Sequence, residues 1–207
     1  FNQNRVLIDS GPDFRQQAHG ENICSIDAVL YTHAHADDIV GLDDLRPLSF
    51  KRTEKIPLYA NPATADVLRT IFEYTFSESN SYPHKARVAL FPLEAHTYLF
   101  GADFVTVPLL HGDLKTAGFR FGKAAYLTDM SDIPASSFAL LEDLDVLVLV
   151  LAGDGRVVGE AADVPLTEGA LVWLPRRSRR AIEAGAQGLS YLTVHRKRPG
   201  LSIAGTG

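Results

Sequence analysis

The chain has very little sulfur. Its 207 residues include one cysteine and one methionine. Cys24 therefore has no partner for an internal disulfide, as is usual for proteins of the reducing cytoplasm. No apolar run approaches the ~20 residues of a membrane-spanning helix. The opening residues also lack the basic-then-apolar pattern of a secretory signal. The sequence therefore predicts a cytoplasmic protein with no membrane partner.

The chain also has only a small excess of one sign of charge. The formal net charge is -5 and 46% of the residues are hydrophobic, which excludes a disordered or polycationic chain and predicts no nucleic-acid partner. Two basic clusters, Arg176 to Arg180 and Arg196 to Arg198, are interpreted as a solvated face, with attraction of an anionic ligand as the alternative. The length suits one full domain and an added piece. Because the sequence begins with Phe1 and almost directly in a strand, we expect a segment upstream of it.

The most informative segment present is Thr32–Asp38, which follows the apolar run Ala28–Tyr31. Two imidazoles and two carboxylates crowd the point where a strand is predicted to end. Alternate residues of a strand project to the same side, so His33 and His35 can share one ion. The carboxylates that follow them can reach a neighbouring ion. The segment predicts a metal site, whereas histidines that are only hydrogen-bonded are the alternative.

Three further segments carry an acidic residue or a histidine at the end of a predicted strand: Val6–Gly11, Val105–Gly112 and Ala125–Asp129. With Thr32–Asp38 they resemble, in content and order, the signature of the metallo-β-lactamase fold superfamily of metal-dependent hydrolases. The resemblance covers about residues 1–149. It implies a truncated αββα sandwich of the metallo-β-lactamase type for this first domain.

Within that superfamily, the pieces Gly11–Gln17 and Gly41–Pro47 are most similar to the branch that contains phosphoribosyl cyclic phosphodiesterases. This resemblance implies a metal-dependent hydrolase, a phosphodiesterase that acts on a small cyclic or nucleotide-like phosphate with a metal-bound hydroxide. A degenerate, non-catalytic metal-binding protein is one alternative. A small-ligand binding module that uses the C-terminal segment is another.

The resemblance also implies the role of each site residue. His33, His35 and His111 would hold one ion, and the second would be held or bridged by Asp37, Asp38 and Asp129. Asp37 would receive or return a proton, and Asp9 would support the metal loop without touching metal. Asp44 and Arg46 resemble supporting positions. His84 is interpreted as a surface histidine, with a place in a substrate loop as the alternative.

Two features depart from the family pattern. Asp38 stands where the signature has histidine, and carboxylates favour harder ions such as Mn²⁺ whereas imidazole suits Zn²⁺. The expected cofactor is therefore one or two ions of Zn²⁺ or Mn²⁺, and Asp38 could also leave the second site empty. The closing histidine motif is missing. His195 is a conditional ligand, and a partly exposed histidine at a strand end is the alternative.

Residues 150–207 predict a separate β-rich segment, with short apolar runs divided by glycine-containing turns. The segment is similar to the second half of a cupin barrel, although arginines stand where a metal-binding cupin would have its histidine. Half a barrel leaves open strand edges, so a homodimer through this segment is expected. An alternative interpretation is a short helix followed by a strand that ends at His195.

Hydrophobic periodicity predicts an α/β protein. Helices are predicted over Pro62–Tyr74, with Asn61 as the N-cap, and over Pro134–Leu144. The predicted strands are Val6–Ile8, Ala28–Tyr31, Pro57–Ala60, Val88–Leu90, Phe104–Leu110, Ala124–Thr128 and Val146–Val150.

Overall fold

The computed structural model describes residues 3–50, 52–77, 82–142, 146–159, 163–167, 170–174 and 180–194. The chain divides into two compact units. The first is Phe1–Gly122 with Tyr126–Pro134, and the second is Lys123–Ala125 with Ala135–Gly207. No helix in the described part of the chain is long and apolar enough to cross a membrane.

The first unit contains a parallel sheet of four strands, in the order β1-β2-β3-β4. These strands are β1 (Val6–Ile8), β2 (Ala28–Leu30), β3 (Ile56–Ala60) and β4 (Val88–Pro92). β2 is buried along its whole length, as is usual for a strand that is covered on both faces. Because the strands are parallel, the residues that follow β1 and β2 meet at one edge of the sheet.

Short helices connect these strands. They are α1 (Phe14–Gly20), α2 (Ala36–Ile39), a 3₁₀ helix over Val40–Leu45, α3 (Arg46–Ser49), α4 (Pro62–Ile71) and α5 (Glu73–Phe76). The N-cap prediction for α4 is confirmed, because the Asn61 side chain accepts a hydrogen bond of 2.9 Å from the Thr64 N–H. The helix ends before the predicted Tyr74, because Phe72 leaves the helical conformation with φ -109° and ψ 38°.

A second sheet has the strand order β5-β6-β7-β8. Its strands are β5 (His96–Leu99), β6 (Ala102–His111), β7 (Leu114–Phe121) and β8 (Ala124–Tyr126). β6 forms antiparallel pairs with β5 and with β7. The β6–β7 hairpin turns through Gly112, whose φ of +60° suits glycine, so His111 stands at the very end of its strand.

The core of the first unit lies on both faces of the parallel sheet. One face packs against the antiparallel sheet, where Leu30 of β2 meets Phe104 and Phe119 in one buried cluster. The opposite face packs against the helices, with Leu58 of β3 and Leu68 of α4 in a second cluster. The first unit is thus layered as helices, sheet and sheet. The prediction of a mixed α/β fold is confirmed.

The second unit contains a 3₁₀ helix, Ala135–Leu141, where the sequence predicts an α-helix. An antiparallel sheet follows, built from β9 (Val146–Gly159), β10 (Val164–Thr167), β11 (Leu171–Leu174) and β12 (Arg180–Val194). The other three strands all pair with β9, and Val157 and Leu166 are buried in a small apolar cluster.

The predicted boundary between residues 149 and 150 falls inside β9, which is one continuous strand. The cupin-like character of the segment that follows, and a homodimer through it, stay predictions. His195, Arg176 to Arg179 and Arg196 to Arg198 lie outside the described residues, as do their predicted roles.

Candidate metal centre

Strand ends bring the predicted ligands to one edge of the first unit. His33 and His35 follow β2, His111 ends β6, and Asp129 comes shortly after β8. Asp38 lies in α2, the single helical turn after His35. Residues far apart in the sequence meet here because each strand stops at the same edge and turns into a loop.

The distances between donor atoms are short. Nε2 of His33 lies 2.8 Å from Nδ1 of His35, 3.4 Å from Oδ2 of Asp38 and 3.5 Å from Oδ2 of Asp129. One donor atom from each of these four residues falls within 4.8 Å of all the others. Atoms bound to one ion at ~2.0–2.2 Å lie roughly 3–4 Å apart, so the cluster suits a shared divalent cation.

The surroundings of Asp38 Oδ2 test whether these residues suit a divalent cation. The atom is buried and has no hydrogen-bond partner among the residues that the structure describes. Leaving such an acceptor unsatisfied costs about 1–3 kcal/mol, and more for a charged group. A cation among the four donors would satisfy this oxygen and would neutralise the adjacent carboxylates. The residues present therefore fit a divalent metal.

The other two predicted ligands are near the cluster but outside the group of four. The ring centroid of His111 lies 6.0 Å from that of His33 and 5.3 Å from that of His35. Asp37 is exposed on the first turn of α2, and its charge, after burial and the charge of Asp129, helps to raise the pKa of Asp38. The structure thus brings four of the six predicted ligands together, and the role of each residue as a ligand stays a prediction.

A buried chain of hydrogen bonds supports His33 at Nδ1, the ring nitrogen that does not face the cluster. Asp9 Oδ1 accepts a bond of 2.8 Å from the Thr32 N–H, and Oδ2 accepts one of 2.8 Å from the Thr32 hydroxyl. Oγ1 of Thr32 lies 2.9 Å from Nδ1 of His33. When Asp9 is ionised, the Thr32 hydroxyl is its donor and accepts in turn from the His33 Nδ1–H. His33 then keeps its Nε2 lone pair for the cluster.

Two glycines allow the loop after β1 to pack tightly on the metal loop. A Cβ on Gly11 would lie 2.5 Å from the backbone oxygen of Asp37, and one on Gly41 would overlap the backbone oxygen of Gly11. Backbone bonds from Ser10 N–H to Asp38 O, 2.7 Å, and from Gly41 N–H to Ser10 O, 2.8 Å, join the same segments. The two loops therefore hold each other in place, and any larger side chain at either glycine would separate them.

Ser131 joins the loops that carry His111 and Asp129. Its hydroxyl accepts a hydrogen bond of 2.8 Å from the Gly112 N–H and donates one of 3.2 Å to the Leu110 carbonyl. Asp129 itself has a φ of +44°, a strained conformation for a non-glycine residue that neighbouring contacts must stabilise. Sequence reasoning missed both Ser131 and Thr32, although each stands within two residues of a predicted ligand.

Electrostatics favour metal binding at neutral pH. Burial, followed by the charge of His35, lowers the pKa of His33, so its imidazole stays neutral and available as a ligand. Burial and the charges of Asp129 and Asp37 raise the pKa of Asp38 to about 6. Burial raises the pKa of Asp9 to about 8, with smaller contributions from the charges of Asp38 and Asp129. A bound cation would oppose these carboxylate repulsions.

The raised pKa of Asp38 makes the metal-free protein sensitive to pH. The folded protein holds a proton that the unfolded chain has released, so stability falls as pH rises from about 4 through about 6. In EDTA, we therefore expect Asp38→Asn to gain stability relative to the unsubstituted protein between pH 4 and pH 7. Urea unfolding at pH 7 and at pH 4 measures the difference. An equal difference at both values would contradict this account.

Comparison with known proteins agrees with the geometry. The chain matches the model of the beta-lactamase superfamily domain over residues 4–160, which spans the metal loop, His111 and Asp129. The chain belongs to the beta-lactamase superfamily. The predicted metallo-β-lactamase type of fold is therefore confirmed, whereas the resemblance of the C-terminal segment to a cupin is not.

Two relatives are longer than this chain, and the chain matches only part of each. The chain is similar to a diphosphatase from the PhnP family whose crystal structure is known, with 47% sequence identity and a TM-score of 0.64. The match covers 70% of this chain and 55% of the diphosphatase chain. The chain is also 39% identical over 147 residues to an octanoyltransferase of Porphyromonas gingivalis, which is 70% of this chain and 29% of that protein. The chain thus spans about half of the first relative and less than a third of the second.

Proposed function

We propose that the chain carries the metal centre of a divalent-metal-dependent phosphodiesterase that acts on small cyclic or nucleotide-like phosphates. The observation that carries this proposal is the cluster of His33, His35, Asp38 and Asp129, in which the buried Asp38 oxygen accepts no hydrogen bond from any described residue. Such a donor set at a loop-lined edge of a sheet is typical of hydrolytic metal sites.

The four clustered residues would hold the first ion, and His111 and Asp37 would complete its surroundings. Divalent ions in such a site lower the pKa of a water molecule and neutralise negative charge on phosphate oxygens. The mixture of imidazole and carboxylate donors is compatible with Zn²⁺, and the carboxylates extend its range to Mn²⁺.

Asp37 is the residue we assign to proton transfer. Its carboxylate is exposed, whereas the Asp38 carboxylate beside it is mostly buried, so Asp37 can exchange protons with water and with a substrate. It is the neighbour of Asp38 in the first turn of α2, and its charge, after burial and the charge of Asp129, helps to raise the pKa of Asp38. A carboxylate in this position can accept a proton from the attacking water and return one to the leaving oxygen.

The relatives support phosphate chemistry more than acyl chemistry. The diphosphatase is matched at 47% identity and a TM-score of 0.64, and its name describes hydrolysis at phosphorus. The octanoyltransferase is matched over 29% of its length, so its name is a weaker guide to what the matched part does. A phosphodiester or a diphosphate is therefore the substrate class that we propose.

Metal removal and restoration test the proposed function. After dialysis against EDTA, we expect no hydrolysis of bis(p-nitrophenyl) phosphate, and we expect turnover to return on addition of Zn²⁺ or Mn²⁺. Elemental analysis of the desalted protein should find one or two ions per chain, and its melting temperature should rise on metal binding. Turnover that persists in EDTA would overturn the proposal. Tight metal binding without turnover would instead indicate a degenerate, non-catalytic protein.

A further inference from the structure

We propose that an open pocket beside the metal loop binds the nucleoside monophosphate part of a nucleotide substrate. The inference rests on the proposed function, because it names the part of the substrate that is not hydrolysed. The pocket has a volume of about 480 Å³. Its lining includes Arg15, Asp44, Arg46, Phe50, Tyr82 and His84.

Two guanidinium groups enter the pocket from different helices. Arg15, on α1, is exposed and makes no hydrogen bond or ion pair within the described part of the chain. Nη1 of Arg46 lies 3.9 Å from Asp43 Oδ2 and 3.5 Å from the His84 carbonyl, both long for a hydrogen bond. Both arginines therefore retain donors in the planar geometry that suits a phosphate group.

Three aromatic rings stand next to these cations. The ring centroid of His84 lies 6.4 Å from that of Phe50 and 5.8 Å from that of Tyr82, with interplanar angles of 68° and 79°. Phe50 is 45% exposed and Tyr82 is 48% exposed, although both carry large apolar rings. Exposed rings beside cations form a stacking surface for a nucleobase, which binds through its flat face.

Carboxylates in the pocket add acceptors for sugar hydroxyls. Asp44 makes no hydrogen bond or ion pair among the residues that the structure describes, whereas Asp43 accepts one of 2.7 Å from the Tyr74 hydroxyl. A free phosphate would be repelled by these acids, but a ribose offers them donors. The combination of cations, rings and a free carboxylate therefore favours a nucleoside phosphate over inorganic phosphate.

The pocket is held at a fixed position beside the metal loop. Asp37 and Arg46 belong to one continuous helical segment, residues 36–49. A helical path from Asp37 to Asp44 rises about 10 to 14 Å. Gly11, four residues before Arg15, packs on the Asp37 backbone and fixes the other wall. The pocket and the metal loop are therefore joined by one helical segment and by the loop after β1.

Calorimetric titration of the full chain in EDTA tests the pocket without the metal. The probes are AMP, ribose 5-phosphate and inorganic phosphate. We expect AMP to bind most tightly, and Arg15→Gln to raise the Kd for AMP about tenfold through the loss of a charged contact. We expect Phe50→Ala to raise the Kd for AMP at least about fivefold and to leave that for ribose 5-phosphate within about twofold.

Arg69→Gln is the matched control, because Arg69 is an exposed arginine on α4 that pairs with Asp66 on the same helix. It should bind AMP as the unsubstituted protein does. Phe50→Leu removes the ring with less loss of volume, and it replaces Phe50→Ala if circular dichroism shows that the alanine variant is unfolded. Equal affinity for AMP and inorganic phosphate, or an unchanged Kd for AMP in Arg15→Gln, would contradict the proposal that this pocket binds a nucleotide.

The two proposals fail in different ways. AMP binding with the expected variant effects, but no metal-dependent hydrolysis of bis(p-nitrophenyl) phosphate, would support the pocket and overturn the proposed function. Hydrolysis without AMP binding would agree with the proposed function and would contradict the proposal that the pocket binds a nucleotide.

Discussion

Replacing Asp129 with alanine is expected to reduce the turnover of bis(p-nitrophenyl) phosphate by at least about a hundredfold. Oδ2 of Asp129 lies 3.5 Å from Nε2 of His33, within the cluster of four donors. Its loss removes one donor and one negative charge from the proposed metal centre. Turnover at saturating Zn²⁺ or Mn²⁺ and metal content after desalting are the two measurements, and both should fall together.

Asp132→Ala is the matched control for Asp129→Ala. Asp132 lies in the same loop and is exposed, and its carboxylate accepts a local hydrogen bond of 2.8 Å from the Ile133 N–H. The backbone contacts of Asp132 with Leu110 do not depend on its side chain. The control should therefore keep its metal and its turnover. Equal losses in both variants would show that the loop, and not the Asp129 carboxylate, is what matters.

Replacing Thr32 with valine is expected to weaken metal binding about 10- to 100-fold, although Thr32 is not a ligand. Valine has almost the same shape but no hydroxyl, so Oδ2 of Asp9 and Nδ1 of His33 would both lose their partner. The same change should lower the free energy of unfolding by about 1–3 kcal/mol, because Oδ2 of the Asp9 carboxyl is left buried without its donor, although Oδ1 keeps the Thr32 N–H. Metal titration followed by calorimetry, and urea unfolding in EDTA, measure these two effects.

Thr32→Ser separates the hydroxyl from the methyl group. It keeps the donor to Asp9 and removes only a methyl group, so metal affinity should stay within a few-fold of the original value, with a loss of stability of about 1 kcal/mol. A serine variant as weak in metal binding as the valine variant would show that packing around the buried Thr32, and not the hydrogen-bond chain, supports His33.

Local patterns were enough to predict much of the fold. The strands Val6–Ile8 and Ala28–Leu30 were predicted from short apolar runs that end in polar residues, and Asn61 with Pro62 predicted the start of α4. These signals act over a few residues and depend little on the rest of the chain. The strands β5 and β7 were missed, because their exposed polar residues and Gly118 weaken the pattern, and pairing with β6 is what stabilises them.

At the C-terminal end of the chain, too, a local pattern predicted where a strand begins, and strand pairing decided how far it extends. The predicted strand Val146–Val150 is the first part of β9, which continues to Gly159 because β10, β11 and β12 all pair with it. The run after Val150 contains glycines, which predicted a turn and so a boundary. Pairing across the sheet can keep such residues extended in spite of their low strand propensity.

The sequence by itself determined the chemistry of the candidate metal centre. The spacing of His33 and His35, and the acids that follow them, specify neutral nitrogen and anionic oxygen donors, since side-chain identity is independent of the fold. Only the tertiary structure decided that Asp38 and Asp129 share one cluster with these histidines and that Thr32 links Asp9 to His33. The reason is physical: distances between residues remote in sequence depend on how strands pair and loops pack, and no local pattern encodes them.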